Sequence, residues 1–181
     1  MSVIALAGRR IDAEGAQPPR FPSANVSLVC DRLRQELRGN SGTTLVSSAA
    51  CGADLVALRV AAELGMRRRV VLPFEAGRFR DTSVSDRPGD WGELFDQVVA
   101  DLRAGNDLMV LDGDLPEADA YAAANRRILD EAQWLGVAGQ AEVITMLVWD
   151  GEVRGDDDLT AAFGDEARRR GLRVLEISTG P

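Results

Sequence analysis

Thr43-Thr44-Leu45-Val46-Ser47-Ser48-Ala49-Ala50-Cys51-Gly52-Ala53-Asp54 is the stretch around which the rest of the chain is organised. A short β-branched and apolar run ends in two hydroxyls. A turn of small residues follows, and a helix opens at Gly52 or just after it. A strand that passes directly into a helix leaves the helix's first N–H groups unpaired, and with the helix dipole these make a ready anion site. Small side chains let a phosphate or a ribose come close to the backbone. The stretch reads as the floor of a nucleotide-type pocket. A plain strand-to-helix connection, with small residues chosen for packing, reads the same residues equally well.

Towards the N-terminus, Val3-Ile4-Ala5-Leu6-Ala7 is a buried strand that ends at Gly8. The segment from Arg9 to Pro22 carries Gly15, Pro18, Pro19 and Pro22 and is a loop; it holds Arg9, Arg10, Arg20 and Asp12 just beyond a strand end. Open α/β sheets place their ligands at the carboxyl ends of their strands. Val26, Val29, Leu33 and Leu37 lie on one face of a helix over 24–38. Beyond the opening stretch, an almost wholly apolar helix over 53–64 leads to a strand at Val70-Val71-Leu72. The residues from Glu75 to Asp90 then read as a long polar loop with Arg78, Arg80 and Arg87. A helix opens at Trp91 and a strand runs over Leu108–Leu111. The helix over 117–135 places Asn125 within its apolar stripe, one turn after Tyr121, where a polar side chain needs either a backbone partner or a pocket. Val143–Trp149, a helix over 159–170 and Leu172–Ile177 complete the alternation. Strand and helix alternate throughout, which predicts an α/β fold: a doubly wound, mostly parallel, Rossmann-like sheet in three layers, forming one domain over 1–181.

Composition narrows the chemistry. The formal net charge is −8, which opposes a general nucleic-acid surface and favours a small ligand held by a few placed arginines. All 21 basic residues are arginine and histidine is absent. Without lysine there is no Walker A loop, Schiff base or Ser-Lys dyad. Without histidine there is no Ser-His-Asp or Cys-His arrangement, no histidine-ligated zinc and no imidazole base. No metal and no cofactor is expected. Two cysteines, Cys30 and Cys51, suit reduced thiols. No apolar run approaches the roughly 20 residues that span a bilayer, and no signal-peptide pattern opens the chain, so a cytoplasmic protein without a membrane partner is expected.

Ser47-Ser48-Ala49-Ala50-Cys51-Gly52-Ala53-Asp54 resembles the S-G-x-A-x-G-[AI]-D signature of the SLOG superfamily. That Rossmann-like group contains the DNA-processing Smf/DprA proteins, the cytokinin-activating LOG phosphoribohydrolases and nucleotide-sensing domains of bacterial conflict systems. Ser47, Ala50, Gly52 and Asp54 keep the pattern; Ser48 replaces its first glycine. The wider set of Ala7-Gly8-Arg9-Arg10-Ile11-Asp12, Leu72-Pro73-Phe74, Asp90-Trp91, and Tyr121 with Asn125 is similar to a bacterial signalling and defence branch. The resemblance implies a sensor of nucleotide-derived signals in antiviral defence, with a homo-oligomer and an effector protein as partners. There is one departure. Where many members carry G-x-G-G-T at the start of the last helix, this chain reads Trp149-Asp150-Gly151 through Gly155-Asp156-Asp157-Asp158-Leu159-Thr160. Thr160 falls at the threonine, and aspartates stand for glycines; carboxylates there repel a phosphate unless a metal or arginines intervene. The LOG motif P-G-G-x-G-T-x-x-E is missing.

Three functions follow as expectations. The first is a binding module for an ADP-ribose-like or cyclic-nucleotide signal. Gly8, Arg9 and Arg10 line one side, Ser47, Ser48, Cys51, Gly52 and Asp54 hold phosphate or ribose, Arg78 or Arg80 closes over the ligand, Asn125 reads a base or ribose edge, and Asp150 and Thr160 flank the site. The second is hydrolysis or transfer at a nucleotide N-glycosidic bond, with Asp54 and Asp12 as catalytic carboxylates and Asp150 also near a strand end. The third is binding of single-stranded DNA, which the acidic balance opposes. A Cys51 nucleophile is a further option, since a helix start lowers a thiol's pKa, although no histidine is present to shuttle its proton.

Overall fold

The structure is a computed structural model describing residues 1–181. Six strands, β1 (Ser2–Gly8), β2 (Gly42–Ser47), β3 (Arg67–Leu72), β4 (Leu108–Val110), β5 (Glu142–Trp149) and β6 (Arg173–Ser178), form one sheet in the order β4-β3-β2-β1-β5-β6, and every pairing is parallel. Six helices connect them: α1 (Val26–Gly39), α2 (Ala53–Glu63), α3 (Ala76–Ser83), α4 (Trp91–Ala104), α5 (Glu117–Gly139) and α6 (Leu159–Arg169). The chain steps outward from β1 to β4, then returns across the sheet through α5 to set β5 on the other side of β1. Strand order reverses between β1 and β5, and such a switch point leaves a crevice at the carboxyl edge of the sheet.

The alternation along β1 assigns the layers. Ile4 and Leu6 join the larger core with α1, α2, α3 and α4; Val3, Ala5 and Ala7 face the smaller core with α5 and α6. With both faces covered, the central strands must be nearly all apolar, which is why their sequence shows no polar alternation. Alanines at 5 and 7 leave room for α5 to cross β1. No helix is long and apolar enough to cross a membrane.

Two expectations need correction. The segment expected as a loop from Glu75 to Asp90 contains α3. The Glu75 carboxylate caps it, accepting from the N–H groups of Gly77 (2.9 Å) and Arg78 (3.2 Å). Phe79 turns inward and stacks on Phe95 at 5.9 Å between ring centroids. The third strand begins at Arg67, three residues before its apolar run, because Arg67 and Arg69 pair with Asp107, Arg68 with Asp101, and Arg69 also with Glu131. A charged strand end of this kind carries no apolar signal.

Candidate functional site

A cleft of about 510 Å³ opens at the switch point. The end of β1 supplies Gly8, Arg9 and Arg10; the β2–α2 junction supplies Ser48, Ala50 and Asp54; α3 and α5 supply Phe79, Tyr121 and Asn125; the β5–α6 connection supplies Arg154 and Asp157 through Thr160. Volumes of roughly 300–1,000 Å³ are usual for small-molecule sites.

The β2–α2 junction is closed from above by the chain that leaves β1. Arg10 and Gly52 form an antiparallel bridge, in which Ala53 N–H donates to the Arg9 carbonyl (3.1 Å) and Ile11 N–H to the Cys51 carbonyl (3.3 Å). Cys51 N–H donates to the Ser83 carbonyl (3.0 Å), and Ala50 N–H to Asp54 Oδ2 (3.2 Å). Of the N–H groups at the start of α2, those of Cys51 and Ala53 are therefore taken by the protein's own acceptors, and that of Gly52 has none. Gly52 makes this crossing possible: its φ is +101°, and a Cβ there would stand 2.7 Å from Ile11 N and 2.8 Å from the Arg9 carbonyl oxygen. Gly8 serves the same approach, since a Cβ on it would meet Ala53 Cβ at 2.4 Å.

Asp54 is the exception in this closed junction. It is 6% exposed, and its Oδ1 is buried with no hydrogen-bond partner. Burial pushes its carboxyl up to about 7, against the opposing pull of the Ala50 amide and the Arg10 charge. Arg10 also lines the cleft; it pairs with Asp86 while its Nε is buried without a partner.

The β5 side is saturated instead. Arg9 is 3% exposed. Its Nε donates to Asp150 (2.9 Å), Nη1 to Asp158 (2.8 Å) and Nη2 to the Glu152 carbonyl, and its guanidinium lies 5.5 Å from the Trp149 ring centroid. Arg20 adds a second bond to Asp150 at 2.5 Å. Asp158 caps α6, its Oδ1 accepting from Thr160 N–H (3.0 Å) and Ala161 N–H (3.1 Å) and its Oδ2 from Arg154 N–H (2.8 Å). Burial acts to raise the Asp158 and Asp150 carboxyls, but the arginine and amide bonds outweigh it and hold both below the usual carboxylate range. Asp150 and Asp158 are thus neutralised from within the chain, whereas Asp156 and Asp157 of the same connection have no ion pair.

Of the residues picked from the sequence, Gly8, Arg9, Arg10, Ser48, Asp54, Asn125 and Thr160 meet at the cleft. The others lie elsewhere. Ser47 is fully buried and its Oγ donates to the Ser48 carbonyl. Cys51 is buried, and burial raises its thiol despite Arg10 nearby, so it holds no ready thiolate. Gly52 lies within the bridge. Asp12 accepts from the N–H groups of Arg20 and Phe21 (3.0 Å each at Oδ2) and folds its own loop. Asp150 stands behind Arg9. Arg78 stacks 4.2 Å from the Phe74 ring centroid and pairs with Glu117, and Arg80 pairs with Asp96 on α4. Neither lines the cleft: from α3, absent from the expectation, Arg80 is held by Asp96 on α4 and Arg78 by Glu117 at the cleft edge.

The structure brings to the site residues that the sequence reading named without assigning them to it. Tyr121, the one tyrosine of the chain, places its hydroxyl 2.6 Å from Ser83 Oγ and 3.3 Å from Thr82 Oγ1 on the cleft wall. Its place one turn before Asn125 was the available signal. Asn125 Nδ2 donates to the Leu159 carbonyl (3.1 Å), which ties α5 to the start of α6. Asp158 was legible as an acidic helix start, but its ion pair was not. No group of three or more histidine, cysteine, aspartate or glutamate side chains is placed to hold a metal ion.

No protein-family model matches the chain, and no curated protein matches it. Among solved structures it is similar to the X-ray structure of DNA processing protein A (DprA) from Streptococcus pneumoniae, with a TM-score of 0.45 and 14% identity over 96% of this chain and 58% of that one.

Proposed function

We propose that residues 1–181 form one binding module for a nucleotide-derived small molecule, within a class that runs from nucleosides to cyclic nucleotides and ADP-ribose-like compounds. The observation that carries this reading is the position of the cleft: it lies at the β1–β5 switch point, where open α/β sheets bind their ligands. The groups around it suit a sugar and a base: an aromatic ring at Tyr121, hydroxyls at Ser48 and Thr160, an amide at Asn125 and a hydrogen-bond acceptor at Asp54. The S-x-x-A-x-G-A-D likeness to the SLOG superfamily supports the same reading.

Asp54 favours a second reading, cleavage of an N-glycosidic bond. A carboxyl that titrates near 7 is suited to protonate a leaving base. Such chemistry also needs a second carboxylate to stabilise the oxocarbenium-like centre. Asp158 is held in its ion pair and Glu117 pairs with Arg78, which leaves Asp157 of the cleft for that part.

The test is a thermal-shift panel of nucleosides, nucleotides, cyclic nucleotides, ADP-ribose and single-stranded DNA, with product analysis by mass spectrometry and sizing of the protein by gel filtration. A shift without turnover, reduced by Ser48→Ala and by Asn125→Ala, is the expected result. Release of a free base replaces the binding reading with the hydrolase. A shift with DNA alone, weakened steeply by salt, overturns both.

A further inference from the structure

We propose that the cleft takes an uncharged ligand of nucleoside size, rich in hydroxyl or amine donors, and discriminates against the phosphorylated form of the same compound. This inference rests on the cleft being the ligand site and narrows what it accepts.

The first ground is that the starts of α2 and α6, on either side of the switch point, already hold an acid of the chain, and the start of α5 presents the Glu117 carboxylate. At α6, the Asp158 carboxylate takes the N–H groups of Arg154, Thr160 and Ala161 together with the Arg9 guanidinium. Those are the donors that an arriving phosphate would otherwise use. At α2, Ala50 N–H is bound to Asp54, and the N–H groups of Cys51 and Ala53 are bound to backbone carbonyls.

The second ground is the supply of positive charge. Arg9 is committed to Asp150 and Asp158, and Arg10 to Asp86. Arg154 is the cleft arginine without an ion pair, and its neighbour Asp157 lines the same cleft. A phosphate therefore meets more unpaired carboxylate than cation.

The third ground points to what does fit. Asp54 Oδ1 is buried without a hydrogen-bond partner and Arg10 Nε has no oxygen acceptor, with the Cys51 thiol beside the guanidinium; both residues line the cleft. Ligand hydroxyls donate and accept, so they suit this part of the wall without bringing charge. An unmet polar atom in a buried site costs stability until a partner arrives. A phosphate is repelled by Asp54 in its ionised form and competes with Asp86 for Arg10.

The test is isothermal titration of the full chain at neutral pH with adenosine, guanosine, cytidine and uridine, and with the 5′-monophosphate of each. At least one nucleoside is expected to bind, about tenfold or more tighter than its monophosphate, and Asp54→Asn is expected to weaken it about tenfold. Asp158→Asn keeps an oxygen for the helix cap and removes the charge. It should raise the affinity of the monophosphate about fivefold relative to that of the nucleoside. Melting curves and circular dichroism verify that each variant folds; should Asp158→Asn fail to fold, the wild-type ratio and Asp54→Asn still decide. A monophosphate that binds as tightly as its nucleoside overturns the inference and leaves the cleft as the ligand site. The same holds if none of these compounds binds while ADP-ribose or a cyclic nucleotide produces a thermal shift. If nothing in either panel binds, the inference and the proposed function fall together.

Discussion

Asp54 and Asp158 are both buried aspartates at the first residues of a helix on the same edge of the sheet, yet they carry opposite electrostatics. Asp158 meets three backbone amides and the Arg9 guanidinium, and it stays ionised well below the usual range. Asp54 meets one amide, leaves Oδ1 unpaired and titrates near 7. Surface exposure is 6% for each, but Asp54 lies deeper and burial weighs more on it. The number of donors within reach widens the difference. Where donors are many, the carboxylate acts as a fixed internal anion that fastens β5 and α6 to β1. Where they are few, it remains a group with an unmet acceptor at the cleft.

The largest expected effect comes from breaking the saturated side. Arg9→Ala removes the guanidinium from two carboxylates at once and should cost about 3–5 kcal/mol of stability in urea denaturation. A loss under about 1 kcal/mol would show that the clasp is not what holds this connection. Next comes the crossing over α2. Gly52→Ala forces a side chain into a left-handed backbone pressed on Ile11 and Arg9, and about 2–3 kcal/mol should be lost in the same assay.

The third prediction concerns pH. The folded-state pKa of Asp54 lies above its ordinary 3.8, so the folded chain holds this proton more tightly than the unfolded one. Its unfavourable contribution is absent at low pH and develops as pH rises from about 4 through about 7. Asp54→Asn should therefore match the wild type near pH 4 and exceed it by about 2–4 kcal/mol above pH 8. Equal stability of the two across the whole range would place Asp54 among ordinary carboxylates. Asp150 and Asp158 act with the opposite sign: their depressed pKa values give stability that is present above the unfolded value and lost as pH falls through the folded one. The smallest effect belongs to Arg80→Ala. Its partner Asp96 is exposed and the pair lies outside the cleft, so stability should move by less than about 0.5 kcal/mol and ligand shifts should be unchanged.

Much of the sheet was legible because its cause is local. The runs Val3–Ala7, Thr43–Ser47 and Val143–Trp149 are apolar or β-branched, and each lies within the strand it predicts. The signal for α3 was too small to read: its buried residues Ala76, Phe79 and Ser83 keep helical spacing, but over two turns only Phe79 is a large apolar side chain. The start of β3 was hidden because its arginines face partners on α4, α5 and the segment before β4. At the site, the small-residue turn and Asn125 were visible as an unusual junction and a polar residue on an apolar stripe. The role of each arginine was not, because a guanidinium looks the same in sequence whether it is free or committed.

The sequence by itself determined an α/β alternation, an almost uninterrupted apolar centre and a strand-to-helix turn of small residues opening on Asp54. Those properties depend on neighbours a few residues apart. Only the tertiary structure decided which charges remain to meet a ligand. Arg9 finds Asp158 at a separation of 149 residues and Asp150 at 141, and Arg10 finds Asp86 at 76. Desolvation and ion pairing act through space, so the contrast between a saturated Asp158 and an unmet Asp54 arises only when the sheet brings the ends of β1, β2 and β5 to one edge.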